Sequence, residues 1–197
     1  AEFYAQKRKP ASEFEDLPDL QPQLREMDYR FALGDYDTTA DILTDIDFDY
    51  LLRWGYTTLA LDWHTRLEGQ IRNPRLAQTS IGNLGVAYFN MGNAEMARQK
   101  YTIALNMARE QGDREGEVAW LTNLGNAYAN LGDISEAIRH YEQVLVIAKE
   151  RGDKKGEGIH LGNLGACYVE LGKIERAIVY YQQAITIHRE VNDKFYE

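Results

Sequence analysis

Three asparagines recur at one fixed spacing and form the clearest candidate for recognition chemistry in the sequence. Asn83, Asn123 and Asn163 stand 40 residues apart, and each comes directly before a Leu-Gly pair. A side-chain amide both donates and accepts hydrogen bonds, so it pairs with a peptide backbone in either direction. A row of such amides would hold an extended chain largely irrespective of its sequence. The alternative is a hydrogen bond from each amide to a neighbouring helix, and the sequence leaves both open.

The residue types that usually carry catalysis or bind metals form no recognisable pattern. His64, His140, His160 and His188 show no ligand spacing with one another or with Cys167, the one cysteine in the chain. Cys167 stands where the other repeats have alanine, which predicts a small buried apolar residue instead of a nucleophile. The sequence contains no phosphate-binding G-x-x-x-x-G-K-[ST] loop. We therefore expect no enzyme activity, no metal site and no cofactor.

An acidic run, Asp45, Asp47 and Asp49, resembles the start of a calcium-binding loop. Two essential positions of that loop are wrong, since Tyr50 stands where it needs glycine and Tyr56 where it needs glutamate. The calcium interpretation therefore fails at both positions. The sequence predicts that these three aspartates form a solvated acidic face.

Charge and hydropathy exclude several classes of partner. The chain has 22 Lys+Arg and 31 Asp+Glu, a formal net charge of −9. Nucleic-acid binding requires clustered cations, so we expect no nucleic-acid partner. No stretch reaches the roughly 18 apolar residues of a transmembrane helix, and the first ten residues lack the apolar segment of a signal peptide. The sequence predicts no membrane association, and the single cysteine agrees with a reducing, cytoplasmic location.

Self-similarity at a period of 40 organises residues 76–197. Each unit carries two apolar stripes at helical spacing, separated by a glycine at 92, 132 or 172. In the middle unit the stripes consist of Leu121, Leu124, Ala127, Tyr128 and Leu131, followed by Ile134, Ala137, Ile138, Tyr141, Leu145 and Ala148. Asp133 and Glu136 predict a capping box at the start of the second helix. Small residues at Gly85, Ala97 and their repeats predict a close approach of the paired helices, with tyrosines filling the space beside them.

These residues resemble the tetratricopeptide repeat family. The family's order of Leu-Gly, tyrosine, small residue, aromatic residue and small residue is met by Leu124, Gly125, Tyr128, Ala137, Tyr141 and Val144. The period of 40 and Lys149 in place of a late proline resemble the longer variety found in kinesin light chains. The resemblance implies an all-α, right-handed superhelical solenoid of antiparallel helix pairs. It places three units at 76–115, 116–155 and 156–195, with the start of a further unit at Tyr196.

The preceding residues are less regular. Residues 1–23 are predicted to be a linker or a poorly ordered arm, and 24–75 a divergent helical pair, with helices over roughly 24–46 and 48–70. The apolar content of this pair comes from Trp54, Leu59, Leu61, Trp63 and Leu67. Residues 48–85 are similar to a segment of bacterial signal-transduction NTPases of the STAND/NB-ARC type. There the segment joins the nucleotide-binding part to a repeat array, which implies a nucleotide site outside this chain.

The family resemblance also implies a binding surface. In tetratricopeptide repeats the positions of Asn83, Asn123 and Asn163 line the inner, concave face. The same face would carry Thr79, Val86, Phe89, Asn90, Thr122, Asn126, Asn130, Ala166, Val169 and Glu170. Phe89 is the one large apolar residue among them and a candidate anchor, the alternative being that it packs into the next repeat.

The resemblance and the charge together predict a non-catalytic module that binds a protein or peptide. Family members that clamp an acidic C-terminal peptide use cations on this face, but the matching residues in the third unit are Gly162 and Ala166. A neutral or basic partner segment is therefore favoured. In the context of a signalling NTPase the module would sense a ligand. The alternatives are a free-standing adaptor and a self-association scaffold, because the C-terminal edge lacks a polar capping helix.

Overall fold

The structure is a computed structural model that describes residues 2–9 and 13–193. Its secondary structure is helical across these residues, which confirms the predicted all-α class. The chain divides into two compact units, Ala1–Asp113 and Arg114–Glu197. None of the described helices is long and apolar enough to cross a membrane. The further repeat predicted to start at Tyr196 lies outside the described residues.

The first compact unit combines the irregular N-terminal stretch with the first repeat. Its described elements are α1 (Glu2–Ala5), a 3-10 helix (Leu17–Leu20), α2 (Gln21–Ala32), α3 (Tyr36–Ile46), a π-helix (Asp47–Leu52), α4 (Thr57–Leu67), α5 (Pro74–Asn90) and α6 (Ala94–Gln111). Where the sequence predicts two helices over about 24–46 and 48–70, the chain forms α2, α3 and α4. Gly34 makes the break after α2 with a φ of 75°, and the carboxylate of Asp35 caps α3 by accepting from Thr38 N.

The core of the first unit is formed by side chains of the 3-10 helix, α2, α3, the π-helix and α4. Fully buried aliphatic side chains come from α2, α3, the π-helix and α4, namely Met27, Leu43, Leu51 and Leu67. Residues 1–23, predicted as a linker or arm, also contribute, since Leu20 is fully buried in the same core. Arg8 forms an ion pair with Glu26 of α2 at 3.1 Å.

The second compact unit is a run of four helices that pack on one another in chain order. They are α7 (Arg114–Asn130), α8 (Ile134–Arg151), α9 (Lys154–Glu170) and α10 (Ile174–Asp193). The predicted stripes of α7 and α8 are buried or half-buried, with one exception. Leu131 lies in the turn after α7 and is exposed, because α7 ends at Asn130 and Gly132 then takes a φ of 82°.

The glycine and tyrosine positions pack as the sequence predicts. An ideal Cβ on Gly85, Gly125 or Gly165 would lie 2.5–2.8 Å from a ring atom of Tyr101, Tyr141 or Tyr181. Since real Cβ atoms do not approach that closely, only glycine fits without movement of the ring. The repeated Gly and Tyr therefore set the distance between the two helices of each pair.

The capping box predicted at α8 forms only in part. Asp133 Oδ1 accepts from the backbone N–H of Glu136 at 3.2 Å, as an N-cap residue does. Glu136 does not return the bond, because its carboxylate accepts from Arg139 at 2.6 Å and the Asp133 N–H donates to Tyr128 O. The charge-assisted bond to Arg139 replaces the second half of the box.

Candidate functional site

The second compact unit presents a polar face on its first helix. Thr122, Asn123, Asn126 and Asn130 fall on one side of α7, since helical positions three and four apart are neighbours. The first three are half-buried and Asn130 is exposed, whereas Leu124 on the opposite side is buried. Because the apolar side of α7 is buried in the hairpin, the side that carries these amides faces outward.

Helix α9 repeats this arrangement one unit later. Asn163 is half-buried, and Ala166 and Glu170 are exposed on the same side of the helix. Val169, next to Glu170, is exposed too. Gly162 leaves open space, since a Cβ added there would meet no atom within 4 Å. Gly162 and Ala166 on this face of α9 are thus smaller and less polar than Thr122 and Asn126 at the matching positions of α7.

The amides of Asn123 and Asn163 make no hydrogen bond within the part of the chain that the structure describes. Asn126 differs, because its carbonyl oxygen accepts from the Tyr141 hydroxyl at 2.6 Å. That bond fixes the Asn126 side chain across the α7–α8 hairpin. Asn123 and Asn163 therefore keep a donor and an acceptor available at half-exposed positions, which is the requirement for pairing with an external backbone.

Asn83 of the first compact unit is placed differently. Its amide donates from Nδ2 to Oδ2 of Asp47, in the π-helix, at 2.6 Å. This is the inter-helix hydrogen bond that the sequence left open as the alternative. Asn83 is half-buried, and the equivalent positions Asn123 and Asn163 have no such bond among the described residues. The three repeated asparagines are therefore not equivalent in structure.

The Asp47 side chain corrects the prediction of a solvated acidic face. Asp45 and Asp49 are exposed, but Asp47 is fully buried. Its Oδ2 lies 2.9 Å from Nε2 of His64, in addition to the Asn83 bond, and its Oδ1 accepts from Phe48 N at 2.5 Å. A buried carboxylate needs such partners, because burial without them costs several kcal/mol on an order-of-magnitude scale.

His64 extends this cluster to α5. Its Nδ1 lies 2.9 Å from the hydroxyl of Ser80, so Asp47, His64 and Ser80 form a continuous chain of contacts. These residue types form a catalytic triad in hydrolases. Here the Ser80 residue is only 2% exposed, so a substrate has no access to its hydroxyl. The geometry therefore supports a buried polar link between the π-helix, α4 and α5.

Sequence reasoning missed this cluster because its members are distant along the chain. Asp47, His64 and Ser80 are separated by 17 and 16 residues. The only local signal is the spacing of Ser80 and Asn83, three residues apart, which places them on one side of α5. Their common partner Asp47 comes from tertiary packing.

Two further predicted contact residues lie at the end of α5. Phe89 is half-buried and Asn90 is exposed.

Cys167 of α9 is buried, as its alanine counterparts predicted, and burial raises the pKa of its thiol. A thiol in that state is a poor nucleophile.

Comparison with known proteins agrees with the helical repeat. The tetratricopeptide repeat family model matches residues 75–150 and 121–190. The solved TPR domain of Arabidopsis FLU is 26% identical with a TM-score of 0.56, and the match covers 59% of this chain and 98% of that domain. A putative kinesin light chain from Podosopora anserina with nearly identical TPR-like repeats has 16% identity and a TM-score of 0.64, covering 88% of this chain and 96% of that one.

A Rap protein solved in complex with competence and sporulation factor is similar as well. It is 17% identical with a TM-score of 0.62, over 92% of this chain and 57% of the Rap chain. No curated protein matches the chain significantly. The family match spans more than half of the sequence and coincides with the helix pairs α5–α6, α7–α8 and α9–α10. The chain belongs to the tetratricopeptide repeat family, whose members are protein-interaction modules.

Proposed function

We propose that this chain is a non-catalytic module that binds an extended peptide or protein segment along the polar faces of α7 and α9. The observation that carries the proposal is the pair Asn123 and Asn163. Both amides are half-exposed, and within the described residues both lack a hydrogen-bond partner. Asn126 and Asn130 extend the same face of α7, and on α5 Asn90 and Phe89 remain predicted contact residues, whereas the Asn83 amide is held by Asp47 and is no longer proposed as one.

The chemistry of the face favours recognition of a backbone. An amide matches the peptide group in either direction, whereas the surrounding Gly162, Ala166 and Thr122 offer little to select a side chain. The face has no cation at these positions, so an acidic peptide tail is disfavoured. Net charge and the exposed Glu170 favour a neutral or basic segment. The Rap complex supports this use of the fold, since a similar structure holds a bound factor.

The binding test uses a random peptide library displayed on phage and selected on the whole chain. The selected peptide is then titrated calorimetrically against the parent and the double variant Asn123→Ala/Asn163→Ala. Losing two hydrogen bonds of about 1 kcal/mol each predicts roughly 30-fold weaker binding. Asn106→Ala, an exposed Asn on α6, is the matched control and should bind like the parent.

A second set of peptides separates backbone recognition from side-chain recognition. Methylation of a backbone nitrogen removes its N–H, so it should weaken binding more than an alanine substitution at the same peptide position. Equal affinity of the parent and the double variant, or a failure of the library to yield any binder, would refute the proposal.

We also propose the setting in which this binding is used. Residues 48–85 resemble the segment that precedes the repeat array in bacterial signalling NTPases, so the module would sense a ligand for such an enzyme in the cytoplasm. Binding would bias the nucleotide switch by favouring one of its states, since a ligand shifts an equilibrium only through differential affinity. The full-length gene product tests this directly. A parent protein without a nucleotide-binding domain would show a free-standing adaptor instead.

Self-association is the second candidate function, and one observation favours it. Ile174, Ile178 and Ile185 lie on one face of α10 and are each about half exposed. The corresponding α8 residues Ile134, Ile138 and Leu145 are more buried. Light scattering after gel filtration, across a concentration series, should show a dimer that Ile178→Lys abolishes. A monomer at every concentration would exclude this candidate.

A further inference from the structure

A cavity in the first compact unit is lined by charged, amide, aliphatic and aromatic side chains. Its volume is about 380 Å³, within the size range of small-molecule pockets. Side chains from the N-terminal segment, α2, α3 and the π-helix line it. None of these residues belongs to the polar faces of α7 and α9, so the cavity is separate from the proposed peptide site.

Gln23 supplies an unused acceptor in this wall. The residue is only 4% exposed, yet its Oε1 atom is buried and has no hydrogen-bond partner. Nearly all buried side-chain oxygens are hydrogen-bonded, because an unpaired one loses its interaction with water and gains nothing in return. A hydrogen-bond donor bound in the cavity would therefore supply the partner that Gln23 Oε1 lacks.

The cations that line the cavity form ion pairs, whereas two of its carboxylates do not. Its two cations form ion pairs, Arg8 with Glu26 at 3.1 Å and Lys9 with Asp19 at 2.5 Å. The Nε–H of Arg8 is buried and has no hydrogen-bond partner among the described residues. Asp45 and Asp49 also line it, and neither forms an ion pair with any other described residue. Burial and the neighbouring Asp41 raise the pKa of Asp45, against a smaller lowering effect of Arg8, which forms no ion pair with it.

Aromatic rings complete the wall. Phe14 and Tyr50 both line the cavity and meet edge to face, with ring centroids 5.0 Å apart. The two rings give the cavity an apolar surface. The Gln23 carbonyl and the two carboxylates without ion pairs favour a ligand that donates hydrogen bonds and carries positive charge.

We propose that this cavity binds a small primary ammonium compound, whose N–H groups donate to Gln23 Oε1 and to the carboxylates of Asp45 and Asp49. An ammonium has three donors and no acceptor, which matches this set of oxygens. An anion is disfavoured, because Arg8 and Lys9 each form an ion pair with a carboxylate and the two charges without an ion pair are negative, although Arg8 Nε keeps one N–H for an acceptor. A neutral apolar compound would leave the Gln23 carbonyl without a donor.

The test compares two probes of similar size, pentylamine and 1-pentanol, by calorimetric titration of the whole chain at low ionic strength. Pentylamine should bind saturably, and pentanol should bind at least about tenfold more weakly because it lacks the charge. Gln23→Met and Asp45→Asn/Asp49→Asn should each weaken pentylamine by at least about tenfold. Asp28→Asn removes the same kind of charge from an exposed position on α2 outside the cavity wall and should leave binding nearly unchanged.

Each outcome decides the proposal. Equal binding of amine and alcohol, or no saturation by amine up to the order of 10 mM, would overturn it. An equal loss in Asp28→Asn would show a general charge effect and would also overturn it. Circular dichroism checks the fold of Gln23→Met. If that variant unfolds, the Asp45→Asn/Asp49→Asn variant decides, because both residues are exposed.

Discussion

Substitution of Gly125 by alanine tests how closely α7 and α8 are packed. The new Cβ would lie 2.5 Å from Cε1 of Tyr141, 2.7 Å from Cζ and 2.9 Å from Cδ1. The ring has little room to retreat, since Tyr141 is 4% exposed and its hydroxyl donates to Asn126. Either the helices separate or the ring turns and breaks that hydrogen bond.

The expected magnitude follows from two opposing effects. Overpacking of this kind costs about 1–3 kcal/mol. Replacement of glycine by alanine inside a helix returns about 0.5–1 kcal/mol through backbone entropy and propensity. Gly125→Ala should therefore lower the free energy of unfolding by up to about 2.5 kcal/mol, with a mid-range value of about 1 kcal/mol. Gly162→Ala is the matched control, because nothing lies within 4 Å of its Cβ, and it should raise the free energy by up to about 1 kcal/mol.

Urea unfolding followed by circular dichroism measures both variants. The double substitution Gly125→Ala/Tyr141→Leu adds a coupling test, since removal of the ring removes the collision. Its loss of stability should be smaller than the sum of the two single losses by about 1 kcal/mol or more. If Gly125→Ala is as stable as Gly162→Ala, the close packing derived from the Gly–Tyr contacts is wrong.

Three further predictions concern buried polar groups. Asp47→Asn should lower the free energy of unfolding by about 3 kcal/mol, whereas the exposed Asp49→Asn should lower it by less than about 0.5 kcal/mol. Equal losses of the two variants in urea unfolding would contradict the buried cluster. Burial lowers the pKa of His160, so the unfolded chain binds the proton first as pH falls. The free energy of unfolding should therefore decrease as the pH falls below about 6.5, and it should decrease less steeply in His160→Leu than in the parent. If thermal unfolding shows the same pH dependence in both proteins, protonation of His160 is excluded as the cause. The Cys167 thiol, whose pKa burial raises, should react with a thiol reagent at least about tenfold more slowly in the native than in the unfolded chain, and equal rates would show that it is accessible.

The repeated part of the fold was predictable because its determinants are local and occur three times. Apolar spacing placed α7 and α8, and Gly132 and Gly152 marked turns that both adopt positive φ. The Gly125–Tyr141 contact followed from the repetition of a small residue opposite an aromatic one. Repetition supplied evidence that a single copy would not have given.

The irregular N-terminal part was less predictable because long-range contacts decide it. The sequence offered no reason for Asp47 to be buried while Asp45 and Asp49, its neighbours in an alternating acidic run, stay exposed. His64, Ser80 and Asn83 provide that reason only once α4 and α5 pack beside the π-helix. The same contact separates Asn83 from Asn123 and Asn163, which look identical in the repeat alignment.

The side-chain amide resonances of the asparagines give the most direct measurement of the proposed binding face. A nitrogen–proton correlation spectrum of the labelled whole chain is recorded with and without the library-selected peptide. We predict that the Nδ2 signals of Asn123 and Asn163 shift on binding, while those of Asn83, held by Asp47, and of Asn106 on α6 stay in place. A bound peptide that leaves the signals of Asn123 and Asn163 unmoved would contradict the binding face proposed for this protein.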